Sequence, residues 1–544
     1  MSCYEPNSHR SDGIGRDAQW QFSLPYGLIR TVSHFLEMVG ILRYLHGLKT
    51  KGVRLDIIVI ALTVYMMHTS NSMNACAEWL KDEDVRVCLG FRRNENVSQK
   101  TIDRAVAILG RNREGIIQRL WDGIKACFEI DDYDINVDGS AVVLYGPKAE
   151  MGEVGYARDK NRGKLQVEFM VAQIASLGIP IYVKPYKGNA SDEAQYRDCV
   201  PELAGLVSGR GIHAFDALKE KTAEKEMEPA PEEMMAAVAA VAMLGAAIVA
   251  DNGAASEENL NRARAAGFGY ITRVRMNSAD DRRIRNEAGS FEYLGDGMWC
   301  LVHEFESSGR TTYLFLSQEL FELNRAKAMA RFEKDLRLLE RIRSGEIRKS
   351  DFVKVRRFPW IDVETKVTIQ EQLIPFSAID KLKELRRSMG DRVGFFKLQS
   401  DVLLTPSEAL RRYRRRAGIE CVISSLKRIT GIKPIRAWND DTIAGSMVLA
   451  LLSEASLAMA RYCMKGATVE EEGEDGQKKT RTVKPTTESM VRSLNHLTVT
   501  RFKGREGRYE IVLSNWEPIS MDIFDAIRAH EAPDWGNRKV PIPA

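Results

Sequence analysis

Hydrophobic spacing along this chain changes from a helical period to alternation near residue 131. Before that point the apolar residues of VSHFLEMVGILRYL, LDIIVIALTVYMMH and VSQKTIDRAVAILGRNREGIIQRLWDGIKACFEI recur at helical spacing. Residues 26–130 therefore read as an all-helical domain. After it, YDINVDGSAVVLY, KLQVEFMVAQIAS and IPIYVKPYKG alternate as strands, and three strands in close succession predict an antiparallel meander. Helical patterns follow at 193–208 and 232–245. AAIVADNG is a buried strand that ends in a turn, SEENLNRARAAG a helix with Ser256 as its N-cap, and FGYITRVRM another strand. Strands, helices and then a further buried strand predict an α/β core, with 131–275 as its first part.

Residues 276–395 read as a strand-rich insertion, interrupted by the basic helical pattern AKAMARFEKDLRLLERIRSG. The core resumes over 396–460. There a long helix is predicted from Thr405, an N-cap before Pro406, towards Leu426, and GSMVLALLSEASLAMARYC is a second, apolar helix. By composition 1–25 is a flexible tail and 461–490 a charged linker. In the C-terminal region, 491–544, LTVTRF and RYEIVL suit a small basic hairpin. Hydrophobic residues make up 44% and charged ones 28%, which excludes collagen, mucin-like and globally disordered chains. Net charge is only +4, so any surface for nucleic acid has to be local. Eight cysteines without a CxxC pair argue against a zinc ribbon or a disulfide scaffold and for a reducing cytosol. The apolar run Met234–Ala250 is shorter than a membrane span needs, and the expectation is no membrane partner.

Tyr413, Arg416, Glu420 and Lys427 are spaced to share one narrow stripe of a single helix. From Arg411 to Arg436 the chain carries nine Lys/Arg and one acid, Glu420. One reading is a solvated basic helix whose glutamate pairs with a neighbouring arginine. The other is a glutamate kept for a divalent metal, beside cations kept for phosphates. Asp138, on the first strand pattern, and Asp251, directly after an apolar strand, stand at core edges, where a charge needs a partner or a metal. Each alone also fits a simple turn or cap.

Together these segments resemble the DDE transposases of bacterial and archaeal insertion sequences, in the subgroup with the YREK signature. The signature is Tyr413, Arg416, Glu420 and Lys427 at its full spacing. INVDGSAV, GYARDKNRGKLQV, GIPIYVKPYKGNASD and IVADNGAASEENLNRARAAGFGYITRVR follow in the family's order, and the resemblance covers roughly residues 100–460. It implies a ribonuclease H-like catalytic core with an inserted β domain. It makes Asp138, Asp251 and Glu420 the catalytic and metal-binding triad, holding two Mg²⁺ ions with Mn²⁺ as a substitute. Tyr413, Arg416 and Lys427 would position phosphates, with Arg412 and Arg415 beside them on the basic helix. The implied activity is cleavage of transposon ends and their joining to target DNA. The partners would be double-stranded DNA and a second copy of the chain, in a prokaryotic cytosol or nucleoid. A catalytically inactive DNA-binding derivative and a related two-metal nuclease are the alternatives.

In the helical domain, MNACAEWLKD and VSQKTIDRAVAIL resemble a helix-turn-helix that would present Ser98, Gln99, Lys100 and Arg104 to DNA; a purely structural helix pair is the alternative. The basic helix of the insertion suits a DNA backbone or a solvated face. Trp299 and Trp360 suit base stacking or an ordinary β core.

Overall fold

The computed structural model describes residues 19–92, 94–146, 148–155, 163–219, 232–251, 256–305, 309–346, 392–472, 478–503 and 509–530. The chain divides into two compact units, 1–269 with 414–544, and 270–413.

In the first unit, β1 (Gln19–Leu24) leads into helices α1 (Tyr26–Met38), α2 (Ile41–Leu48), α3 (Leu55–His68), α4 (Met73–Trp79), α5 (Glu83–Cys88), α6 (Gln99–Arg111) and α7 (Arg113–Cys127). The apolar stretch 32–45, expected as one helix, is two. Gly40 takes a left-handed conformation (φ 72°) between α1 and α2, which a side chain would disfavour. Then come β2 (Asp134–Val143), β3 (Gln166–Ile174), β4 (Ile179–Lys187), α8 (Asp192–Ser208), α9 (Glu232–Met243), β5 (Ala247–Ala250) and α10 (Glu257–Ala265). The predicted meander is present: β2 pairs antiparallel with β3, and β3 with β4. β5 lies parallel to β2 on its other side, so the order in this unit is β4-β3-β2-β5 in a mixed sheet. Both β2 and β5 are almost wholly buried, as helices on both faces require.

The second unit holds β6 (Gly269–Val274), α11 (Ser278–Asn286), β7 (Glu292–Gly295), β8 (Met298–Phe305), β9 (Arg310–Ser317), α12 (Gln318–Arg343), β10 (Phe395–Ser400) and α13 (Pro406–Arg414). Its strands are ordered β6-β10-β9-β8-β7, all antiparallel, over a small core of Met298, Cys300, Tyr313, Phe315 and Leu398. The strand pattern VETKVTIQEQLI and Trp360 lie outside the described residues. α11 adds a helix to a region read only as strand-rich; Asn277 and Asp280 close a capping box at its start.

The chain re-enters the first unit at α14 (Ala417–Arg428), followed by α15 (Asp440–Cys463), β11 (Ala467–Glu472), β12 (Lys478–Val483), α16 (Thr487–His496), β13 (Thr498–Lys503), β14 (Tyr509–Ser514) and α17 (Pro518–His530). α15 is long and apolar enough to cross a membrane, yet 94% of its most apolar window is buried inside this unit, where it is the central core helix. The 461–490 stretch, expected as a linker, holds the β11–β12 hairpin, whose register sets Glu471 and Glu472 opposite Lys479 and Lys478. The C-terminal hairpin is present as β13–β14 and gains β1 as a third strand. Residues 19–24 are thus a strand rather than part of a flexible tail.

Candidate active site

The basic segment is two helices, not the single helix the spacing suggested. α13 ends at Arg414 and α14 begins at Ala417. At the break the amides of Gly418 and Ile419, in the first turn of α14, donate to the carbonyls of Arg415 and Arg416, tightening the chain into i to i+3 turns. Tyr413 therefore does not share a helix with Arg416, Glu420 and Lys427. It is partly buried and packs, as Leu294, Phe396 and Leu404 do, against the second unit's core. Arg412 pairs with Glu408 on α13. Arg415 pairs with Asp132 just ahead of β2, and its carbonyl accepts from Asn136 Nδ2 at 2.9 Å. Both contacts fix the start of α14 against β2.

Three carboxylates converge on Arg416. Asn136 pairs with Val249, and two residues further along these parallel strands stand Asp138 and Asp251. Glu420 projects from the first turn of α14, whose opposite face buries Ile419, Val422 and Leu426. Arg416 is only 8% exposed. Its Nη2 donates to Asp138 Oδ2 at 2.9 Å and lies 3.6 Å from Asp251 Oδ2; its Nη1 donates to Glu420 Oε1 at 3.1 Å. Asp138 Oδ1 accepts the Gly139 N–H at 2.8 Å. Burial pushes the Asp138 carboxyl above its usual range. The Arg416 guanidinium and the Gly139 amide oppose that shift, while Asp251 and Glu420 add to it. So the structure brings Asp138, Asp251, Arg416 and Glu420 together.

Beside them an open groove is lined by Asp138, Ser140, Glu420, Ser424, Lys427, Arg428 and Lys433. One end is acidic and the other cationic. Ser424, Arg428 and Lys433 were missed from the sequence; Arg428 and Lys433 belong to the same run of nine cations, which was the available signal. Lys100 and Arg104 are exposed on α6 and do not line the groove, and Ser98 caps that helix by accepting from the Thr101 amide. On α12, Arg325, Lys327, Lys334 and Arg337 are exposed. Trp299 packs on Tyr293 with ring centroids 5.1 Å apart.

An all-carboxylate donor set is the chemistry of hard divalent ions. With Arg416 between the acids, no three His, Cys, Asp or Glu donors among the described residues stand at metal-holding distance. The donors fit such an ion in kind; holding one requires the guanidinium to leave the centre.

This is the arrangement of a carboxylate-based site at the edge of a mixed sheet. A model of the transposase DDE domain family matches residues 132–453, more than half of the chain and the stretch that holds all four of these residues. The chain belongs to that family. No curated protein matches it in sequence. Among solved structures, a piggyBac transposase synaptic complex with hairpin DNA aligns with 87% of this chain and 79% of its own, at 10% identity and a TM-score of 0.32.

Proposed function

We propose that this protein is an active DDE transposase of a prokaryotic insertion sequence with a ribonuclease H-like core, which cuts transposon ends and joins them to target DNA. The observation that carries this reading is the meeting of Asp138, Asp251 and Glu420, from β2, the end of β5 and α14, around one guanidinium. Family membership supports it, as does the strand order β4-β3-β2-β5. Asp138, Asp251 and Glu420 would hold a pair of Mg²⁺ ions, which when bound activate a water or a DNA 3′-hydroxyl and stabilise the leaving oxygen.

The protein's own residues do the rest. Lys427, Arg428 and Lys433 neutralise the phosphates of a strand lying in the groove, and Ser140 and Ser424 offer hydroxyl hydrogen bonds along it. Arg416 offsets part of the charge of the three acids while DNA is absent. A phosphate entering the groove offers its fork a bidentate alternative, and the acids are then freed for their catalytic role. Joining two ends requires two active sites, so the working form is a homodimer on DNA, in the cytosol or nucleoid.

The test is cleavage of a plasmid carrying the DNA that flanks the coding region. Wild type should nick at the element boundary with Mg²⁺, and Asp138→Asn, Asp251→Asn and Glu420→Gln should each lose that activity while still binding DNA. Wild-type-level cutting by any one variant removes its residue from the site. No cutting by wild type in Mg²⁺ or Mn²⁺ would leave a DNA-binding protein only.

A further inference from the structure

α9 (Glu232–Met243) turns one face to the body of its unit and the other outward. Met234, Ala237 and Val241 are buried, and Gly267 comes so close that a Cβ there would stand 2.4 Å from the Val238 carbonyl oxygen. The outer face carries Met235, Ala236, Ala239, Ala242 and Met243, all exposed, Met235 by 60% and Met243 by 82%. At about 100° per residue these five fall within about 120° of the helix surface. A surface helix of a soluble protein is charged or polar on that side. Here no charged or polar side chain occurs between Glu233 and Asp251. A contiguous apolar patch of this kind marks a contact surface.

The patch is symmetric along the helix. About Ala239 its residues mirror one another, Met235 with Met243 and Ala236 with Ala242. Two antiparallel copies related by a two-fold axis at Ala239 therefore set Met235 of one copy opposite Met243 of the other, and the reverse on the far side of the axis. The small Ala239 side chains at the crossing let the helices approach, and the unbranched, adaptable methionines fill the space to either side. The antiparallel arrangement also keeps Glu232, at the start of each helix, away from its own copy.

A face without charge offers nothing to a phosphate backbone, and it is complementary to another uncharged face of the same shape. We propose that the outer face of α9 is a two-fold interface between two copies of this chain, formed without DNA. The area a pair of such helices buries is on the order of 1,000 Å² in total, the low end for specific association, so the pairing is reversible rather than permanent. This interface stands whether or not the chain cuts DNA. Under the transposase reading, two copies held on the two ends of one element would pair at a raised effective concentration, which suits a weak contact.

The test is analytical ultracentrifugation of the full chain without DNA, over a series of protein concentrations. Wild type should pass from monomer to dimer as concentration rises. Ala239→Glu and Ala239→Lys each set like charges across the axis and should weaken dimerisation about a hundredfold, at an unchanged melting temperature because position 239 is exposed. An equal mixture of the two variants should dimerise again, since the charges across the axis are then opposite. That recovery requires residue 239 to face its own copy. Wild type that stays monomeric at every concentration would overturn the interface, and so would dimerisation that survives both single substitutions. Loss in both variants without recovery in the mixture would overturn the two-fold pairing and assign the face to a different partner. Plasmid cutting is read separately: a chain that cuts but never dimerises through α9 overturns the interface alone, whereas one that dimerises and does not cut in Mg²⁺ or Mn²⁺ overturns the transposase reading alone.

Discussion

Arg416, at the N-cap of α14, is held by three acids at once, and its contribution differs from that of Lys427 in the last turn of that helix. Removing a cation from a cluster of carboxylates leaves them mutually repelling, the more so because Asp138 is largely buried. Arg416→Ala is therefore expected to lower the melting temperature of the DNA-free protein, and Mg²⁺ is expected to raise it more in the variant than in wild type, because the ion no longer competes with a guanidinium. Thermal melts across a Mg²⁺ series decide this; equal shifts in the two proteins would mean that Arg416 does not occupy the ion's position. Lys427, by contrast, lines the groove beside the acids. Lys427→Ala should reduce the slope of log affinity against log salt by about 0.9 on duplex DNA, the value for one phosphate contact. Asp138→Asn removes no cation and should leave that slope in place.

At the level of elements, α14 is tied down from behind by a carboxyl that the sequence reading passed over. Glu454, 1% exposed on α15, accepts hydrogen bonds from Ser425 on α14 and from Thr487 on α16, the latter at 3.1 Å. Ser425 lies five residues beyond Glu420, so this contact fixes the helix that presents the acid. Burial pushes the Glu454 carboxyl up, against the pull of Arg461 and the two hydroxyls. A raised folded-state value means that stability is fully present at low pH and declines as pH rises through that value. Glu454→Gln should therefore fold with near wild-type stability and lose that decline. Glu454→Ala orphans two buried hydroxyls and should lose about 1–3 kcal/mol. Urea unfolding at two pH values distinguishes these outcomes. A lone acid inside the apolar run LLSEASLAMA was a visible signal of this role. The strands were legible because alternation marks β2 to β4, whereas the convergence of the acids was legible only through the family resemblance, since Asp138 lies within β2, Asp251 follows β5 and Glu420 stands on a helix. The break between α13 and α14 was not, because RRYRRRAGIE is continuously helix-favouring and its only local breaker, Gly418, sits inside α14. β1 was hidden for another reason: QWQFSL is a strand only because β13, hundreds of residues later, pairs with it.

On the scale of the whole molecule, the helices before β2 and the region after α15 belong to one compact unit with the acid site, although their sequences suggested separate segments. α1 meets α16 so closely that Gly27 donates to Leu497 O at 3.0 Å, and α15 is buried among α1, α3, α6 and β4. One ionic network spans several of these elements. Glu202 on α8, 1% exposed, takes Lys184 of β4 at 2.5 Å, Arg113 of α7 at 3.3 Å, Lys219 at 2.9 Å and the Tyr182 hydroxyl at 2.7 Å. Burial alone would raise the Glu202 carboxyl, but Lys184, Arg113 and Lys219 outweigh it and hold it at about 2. A depressed carboxyl stabilises the fold above its unfolded value and loses that contribution as pH falls through the folded one. The window here runs from about 4.5 down to about 2, and the shift is equivalent to about 3 kcal/mol. Wild type should thus lose stability steeply across that window. Glu202→Gln should be less stable by about 3–5 kcal/mol at neutral pH, since Arg113 and Lys184 then lack their shared counter-charge, and its acid decline should be correspondingly shallower. Chemical unfolding of both proteins at intervals from pH 7 to pH 2 measures the two slopes. Equal slopes would mean that this network does not set the acid limit of the fold.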